Sequence, residues 1–414
     1  MDRTLADYEP VVGLNAISQL RQLADDLTGA RVVHVNSTRV GGGVAEILSW
    51  LIPLMKELGL DAEWEVIEGN PGFFNTTKAF HNGLQGNPVI LSDQMIKTYE
   101  ATVAENAERL RPILEEADFV FIHDPQPAAL LDMCGNRKGK WIWRCHIDAS
   151  HPNRRIWNYI RSKVSRYDAS IFSMPDFAQR MDHPQFIIAP SIDPLSEKNT
   201  ELSQEEIARV LEEHSIVVDD DTPIITQISR YDRFKDPLGV IKAHQLLNGA
   251  FNSHLILAGG GASDDPEGEA VLQEVREAAD GNKRVHVLML PGDAHRTINA
   301  LQRASTIVFQ KSLQEGFGLT VTEAMWKGKP VIGGNVGGIR LQVHNHHTGF
   351  LVDTPEGAAL RTRELLRRPE RIKAMGQTAR KFVTDNFLLN RHLREYMTLM
   401  LGLRRGLANH LIAD

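Results

Sequence analysis

The segment RVVHVNSTRVGGGVAEILSWLIPLMKEL, residues 31–58, decides the fold. Its first six residues form a short apolar run ending in Asn36, the mark of a buried strand. From Val44 to Leu58 apolar residues recur at helical spacing. A buried strand that passes through glycines into an amphipathic helix opens a βαβ unit. The same signals continue along the chain. ADFVFIH (117–123), KWIWRCH (140–146) and ASIFS (169–173) read as further buried strands, with a helix-period stretch NRRIWNYIRSKVSRY at 153–167. Such alternation predicts an α/β fold with a parallel sheet covered on both faces.

The pattern then starts again. TPIITQIS (222–229), SHLILAG (253–259), RVHVLML (284–290), STIVFQ (305–310) and KPVIGG (329–334) are strands with helical segments between them. A length of 414 residues also exceeds what one hydrophobic core serves. The break falls at APSIDPLSEKN (189–199), where two prolines interrupt any period. Domains are therefore expected at 1–190 and 191–385, with C-terminal helices over 386–414 packing back onto the first domain. Two doubly wound, Rossmann-like domains facing each other would leave a cleft at the carboxyl ends of their strands, where ligands of open α/β sheets bind.

A net charge of −7 disfavours general affinity for nucleic acid or anionic membrane. No apolar run reaches membrane-span length, and the start MDRTLADYEP lacks the apolar stretch of a signal peptide. Two cysteines, Cys134 and Cys145, make no disulfide framework and no zinc spacing, so a reducing, cytoplasmic setting is expected. The run Asp219–Asp221 reads as a solvated loop, since adjacent Asp residues in a turn seldom converge on one ion.

Chemistry is sought at the loops after strands. Gly41, Gly42 and Gly43 let backbone approach a ligand, and the following helix N-terminus suits a phosphate. Their spacing matches neither the dinucleotide fingerprint nor the Walker loop, and a plain tight turn would look the same. Arg230 and Lys235 follow the first strand of the second half, placed to neutralise a diphosphate without metal. In EGFGLTVTEAMWKGKPVI (315–332), Thr320 and Glu323 match a capping box, whereas Glu315 lies where no cap needs it. A phosphate on the amides near Gly318, Leu319 and Thr320, with sugars on either side, would explain both acids. His123, Asp124, His146 and Asp148 close two successive strands of the first half and suit sugar hydroxyls or acid–base work. Trp141 and Trp143 read as core. No chain order with a nucleophile elbow is present, which disfavours hydrolytic nucleophile chemistry.

Glu315 and Glu323 resemble the paired-glutamate motif of retaining GT-B glycosyltransferases, and Arg230 with Lys235 resembles their diphosphate pair. HVNSTRVGGGVAEIL, FHNGLQGN, HDPQPAAL, WRCHIDASHPN and PSIDPLSEKN are similar to one branch of them, the trehalose glycosyltransferring synthases. The resemblance implies a GT-B fold and reversible transfer of glucose from a nucleoside diphosphate glucose to free glucose, giving trehalose. It implies no cofactor and no metal. Partners are then small molecules, without nucleic acid or membrane, and a homodimer is compatible. By motif, Arg230, Lys235, Glu315 and His146 would be catalytic, with Glu315 on the transferred glucose and His146 beside its anomeric carbon. Gly42, Gly43, Gly318, Leu319 and Thr320 would cradle phosphates and Glu323 would bind ribose. Asp148, Asn36, His123 and Asp124 would serve the acceptor. Retention without a second cleft carboxylate favours front-face transfer, the leaving phosphate taking the acceptor's proton. A trehalose phosphorylase, and a non-catalytic sugar-binding protein, stand as alternatives. Asp236 replaces the usual glycine after Lys235, and Gln342 and His344–His347 depart from the relatives' pattern, so base preference and loop geometry stay open.

Overall fold

The computed structural model describes residues 3–40, 42–219, 222–247, 249–260 and 266–406. Gly41, Asp220 and Asp221, and the LANHLIAD tail at 407–414, which figure in the sequence reading, lie outside the described residues. The chain divides into two compact units, Met1–Ser191 with Leu389–Asp414, and Ile192–Leu388.

The first unit holds six parallel strands: β1 Arg31–Asn36, β2 Asp61–Val66, β3 Phe119–His123, β4 Lys140–Arg144, β5 Ala169–Phe172 and β6 Gln185–Ile187. Their spatial order is β2-β1-β3-β4-β5-β6. The order reverses between β1 and β3, and a doubly wound sheet offers its ligand crevice at that reversal. β3 and β5 are buried throughout, as parallel strands covered on both faces must be. Trp141 and Trp143 are wholly buried in β4, as expected of core. The helix Leu389–Arg404 belongs to this unit and packs on the helices Leu14–Asp25 and Gly43–Glu57. Cys134 and Cys145 are free, buried thiols.

The second unit also has six parallel strands: β7 Ile224–Ile228, β8 His254–Gly259, β9 Val285–Met289, β10 Ile307–Gln310, β11 Val331–Gly334 and β12 Gly349–Val352. Their order, β12-β11-β10-β7-β8-β9, is the 3-2-1-4-5-6 arrangement, with its reversal between β7 and β10. Alternate residues feed two cores. Ile225, Leu255, Leu257, Ile307 and Phe309 pack on one face, and Ile224, Ile228, Ile256 and Ala258 on the other. Each fully buried Leu, Ile or Phe stabilises the unit by roughly 1.5–3 kcal/mol.

Among the described residues, no helix is long and apolar enough to cross a membrane.

Candidate functional site

In the second unit the β7/β10 reversal gathers the predicted anion-binding residues. Lys235 ends a short 3-10 turn, Arg233–Lys235, after β7. Its Nζ lies 2.6 Å from Glu315 Oε2 in the loop after β10. That carboxylate oxygen also accepts Ser312 Oγ at 3.1 Å and Gln310 Nε2 at 3.4 Å. Gln227 braces the pair from below, donating to the Lys235 carbonyl at 2.8 Å and accepting the Lys311 N–H at 2.9 Å. Arg230 is two-thirds exposed, with Asp232 at 3.6 Å.

Asp236 takes the glycine-like left-handed conformation, φ 48° and ψ 50°, and so keeps the turn. Its carboxylate caps the helix Pro237–Gln245 through the Gly239 N–H at 3.1 Å and pairs with buried Lys311. Removing it would leave Lys311 a buried, unpaired cation. Asp236→Ala is expected to destabilise the protein by about 3–5 kcal/mol in denaturant titration, and adding Lys311→Met should recover most of the loss. An additive double variant would refute this coupling.

The sequence expectation of a capping box at Thr320–Glu323 is corrected. The helix is Leu319–Trp326, its N-cap is Gly318 at φ 83°, and no side chain caps it. Thr320 is already inside the helix and donates its hydroxyl to Gln310 Oε1 at 3.0 Å. Glu323 points inward, 1% exposed, with Oε1 at 3.8 Å from Lys198 Nζ. Its Oε2 has no hydrogen-bond partner among the described residues. A buried carboxylate oxygen left without a donor is costly unless a ligand hydroxyl supplies one. Gly318 also lets Glu315 close in, since a Cβ there would sit 3.3 Å from Glu315 Cγ. The first-turn amides of Leu319 and Thr320 have no intrahelical acceptor, which suits an anion.

Lys327, which the motifs did not single out, and Gln342, noted in the sequence only as a departure from the relatives' pattern, adjoin this cluster. Lys327 is buried, its Nζ held by Gln302 Oε1 at 2.7 Å and Asn199 Oδ1 at 3.0 Å, and burial lowers its pKa to about 7. Gln342 accepts the Thr322 hydroxyl and donates to the Phe317 carbonyl, both at 2.6 Å, tying the helix to the turn before it. A carboxylate could not make the second bond. His344–His347 are exposed, and no group of three or more ligating side chains among the described residues suits a metal.

In the first unit the β1/β3 reversal gathers the other candidates. Gly42 is the N-cap of the helix Gly43–Glu57 at φ 82°, which a side chain would strain. Asn36 holds its own turn, donating to Thr38 O at 2.7 Å and accepting Trp64 Nε1 at 2.9 Å. Asp124 sits at φ 63° and accepts the His146 N–H at 2.7 Å. Burial raises its pKa to about 6, against the lowering effects of that N–H and of Arg144. Asp148 Oδ1 accepts the Ser150 N–H at 3.0 Å and hydroxyl at 2.6 Å. His123 departs from the sequence expectation of a sugar contact. It is 2% exposed, with Nε2 at 3.0 Å from His34 and Nδ1 at 3.0 Å from His146, so neither ring nitrogen remains for a sugar. Arg144 is fully buried beneath them, its Nε and Nη1 without partners among the described residues. His34 and Arg144 escaped the sequence reading because each looks like an interruption within an apolar strand.

Burial holds the pKa values of His34, His123, His146 and His392 below the ordinary imidazole value, that of His34 at about 3. Below about pH 6.5 the unfolded rings take up protons that the folded rings refuse, so stability is full above that pH and falls beneath it. Each ring contributes about 1.4 kcal/mol per pH unit. Asp124 acts oppositely, its folded pKa being raised, and its ionisation penalty is relieved as pH drops below about 6. Four rings outweigh one carboxyl. The thermal midpoint is therefore expected to fall steeply between about pH 6.5 and 5, followed by circular dichroism, and a flat profile would contradict it.

Comparison with known proteins finds matches over both halves of the chain. Residues 34–179 match the family described as "Trehalose synthase, N-terminal domain", and residues 211–382 match "Glycosyl transferases group 1". The chain is 46% identical to a trehalose synthase of Pyrococcus horikoshii over 407 residues, covering 96% of each. A trehalose synthase of Rubrobacter xylanophilus is 39% identical over 403 residues, again 96% of each. Among solved structures, sucrose-phosphate synthase of Thermosynechococcus elongatus superposes with a TM-score of 0.72 at 16% identity, over 91% of this chain and 100% of that one. That likeness shows the GT-B fold. With both halves matched and the identity running nearly end to end, the chain belongs to the trehalose synthase family of group 1 glycosyltransferases.

Proposed function

We propose that this glycosyltransferase moves glucose, with retention, from a nucleoside diphosphate glucose to free glucose, forming trehalose reversibly. The observation that carries this reading is the Lys235–Glu315 pair, 2.6 Å apart, held against Gly318 at the β7/β10 reversal. Lys235 and Arg230 neutralise the diphosphate, so no metal is required there. Glu315 orients the glucose hydroxyls and positions Lys235. Glu323 accepts from the ribose diol through its otherwise unpartnered Oε2. Backbone amides at Gly318–Thr320, and at Gly42 and Gly43, receive phosphate oxygens. His146 lies beside the transferred sugar, with Asp148, Asn36 and Asp124 shaping the acceptor side.

The bond from the anomeric carbon to the leaving phosphate breaks as the acceptor oxygen bonds on the same face. The acceptor's proton passes to the departing phosphate oxygen. The protein supplies placement and charge stabilisation rather than a nucleophile. Two buried free thiols fit a reducing compartment, and we place the reaction in the cytoplasm.

The test is direct. Purified protein is incubated with glucose and UDP-, ADP-, GDP- or TDP-glucose, and the product's linkage is read by NMR. An α,α-1,1 disaccharide is expected with at least one donor. No disaccharide with any donor refutes the reading. Nucleotide-free, phosphate-dependent release of glucose 1-phosphate from trehalose would replace it with phosphorolysis.

A further inference from the structure

Three imidazoles form a chain in the first unit, and the proposed reaction uses only the last of them. His34 Nδ1 lies 3.0 Å from His123 Nε2, and His123 Nδ1 lies 3.0 Å from His146 Nε2. Successive rings stack with centroids 5.3 Å apart. His34 lies flat on Phe121 at 4.6 Å. Burial keeps all three rings neutral, helped by Arg144 at His123 and His146. Each ring then carries one N–H.

One proton per ring forces both hydrogen bonds to run in the same direction. His123 donates through Nδ1 or through Nε2, never both, so the tautomer at one end fixes the tautomer at the other. The buried end decides which. His34 Nε2 has no partner among the described residues. If His146 donated inward, the last proton would rest on that nitrogen as a buried N–H without an acceptor, a state folded proteins largely avoid. In the outward direction His34 Nδ1–H donates to His123, and His123 Nδ1–H donates to His146 Nε2. His34 Nε2 is then bare, and the His146 proton rests on Nδ1.

We propose that His34 and His123 are positioning residues that hold His146 as its Nδ1–H tautomer, so that its ring offers a sugar oxygen a donor and not an acceptor. This rests on the reading of His146 as the residue beside the transferred glucose. The chain selects which hydroxyl geometry His146 can engage, although neither His34 nor His123 touches substrate.

The test labels histidine with 15N and records long-range proton–nitrogen correlations on the whole protein near neutral pH, assigning His146 by its loss in His146→Gln. His146 is expected to show a protonated Nδ1 and a bare Nε2. His34→Leu should turn His146 into a tautomer mixture. It should also lower kcat about five- to tenfold, the worth of one neutral hydrogen bond, with little change in KM for sugar nucleotide. His34→Asn, whose amide nitrogen takes the place of Nδ1, should restore both. A wild-type His146 protonated on Nε2 overturns the proposal, as does a His34→Leu protein with unchanged spectrum and kcat. If His34→Leu fails to fold, the wild-type spectrum decides alone. Absence of trehalose synthesis would sink the catalytic reading while leaving the tautomer result standing.

Discussion

Lys235→Ala is expected to lower kcat for trehalose formation by a factor of about 10²–10³, the loss that follows removal of one preorganised charge-stabilising donor. The reason lies in where the ammonium sits. Lys235 is held between Glu315 and the Gln227-braced turn, so its charge is in place before a diphosphate arrives and needs no reorganisation during transfer. In the proposed transfer negative charge grows on the leaving phosphate, so the lost contact should appear in kcat far more than in KM for free glucose. Steady-state kinetics with both substrates varied will separate the two. A variant with raised KM and unchanged kcat would mean that Lys235 binds substrate and transition state alike, contrary to its assigned role.

Glu323→Gln should leave the fold intact and raise KM for the sugar nucleotide about 10- to 100-fold, corresponding to about 1.5–3 kcal/mol for a hydrogen bond to a charged acceptor. The helix Leu319–Trp326 does not use this side chain as a cap, so no capping energy is at stake. Glutamine keeps the volume and removes a buried charge whose Oε2 lacks a partner. A melting temperature near that of wild type, the relief at Oε2 offsetting the charge that Lys198 loses as its partner, together with the raised KM, is the expected pair of results. A lower melting temperature with normal KM would assign Glu323 to structure.

Most of the strands that were legible are central ones, although RVHVLML was also read correctly and became the part-exposed edge strand β9. RVVHVN became β1 at the expected residues, and the other central runs became strands shortened by a residue or two at their ends. β2, β6 and β12 were not anticipated, and they include strands at the edges of the two sheets. DAEWEV alternates acids with apolar residues and buries only Ala62 completely, so it carries no apolar run to read. The Thr320–Glu323 spacing misled for a related reason. A capping pattern is local, but Gly318 starts the helix two residues earlier and turns Glu323 inward.

The sequence by itself determined the class of fold and nominated the strand ends as candidates for chemistry. Buried parallel strands need continuous apolar runs, and strand ends in such sheets are where loops can carry polar groups. It thereby nominated Arg230, Lys235, Glu315, Glu323 and His146, whose roles remain those of the proposal. Only the tertiary structure decided what those groups do to one another. Lys235 meets Glu315 across 80 residues of chain, Lys311 finds Asp236, and His34, His123 and His146 become neighbours because β1, β3 and β4 lie side by side. Hydrogen bonds and charge pairs act over a few ångströms of space, and strand order, which no local pattern encodes, sets those distances.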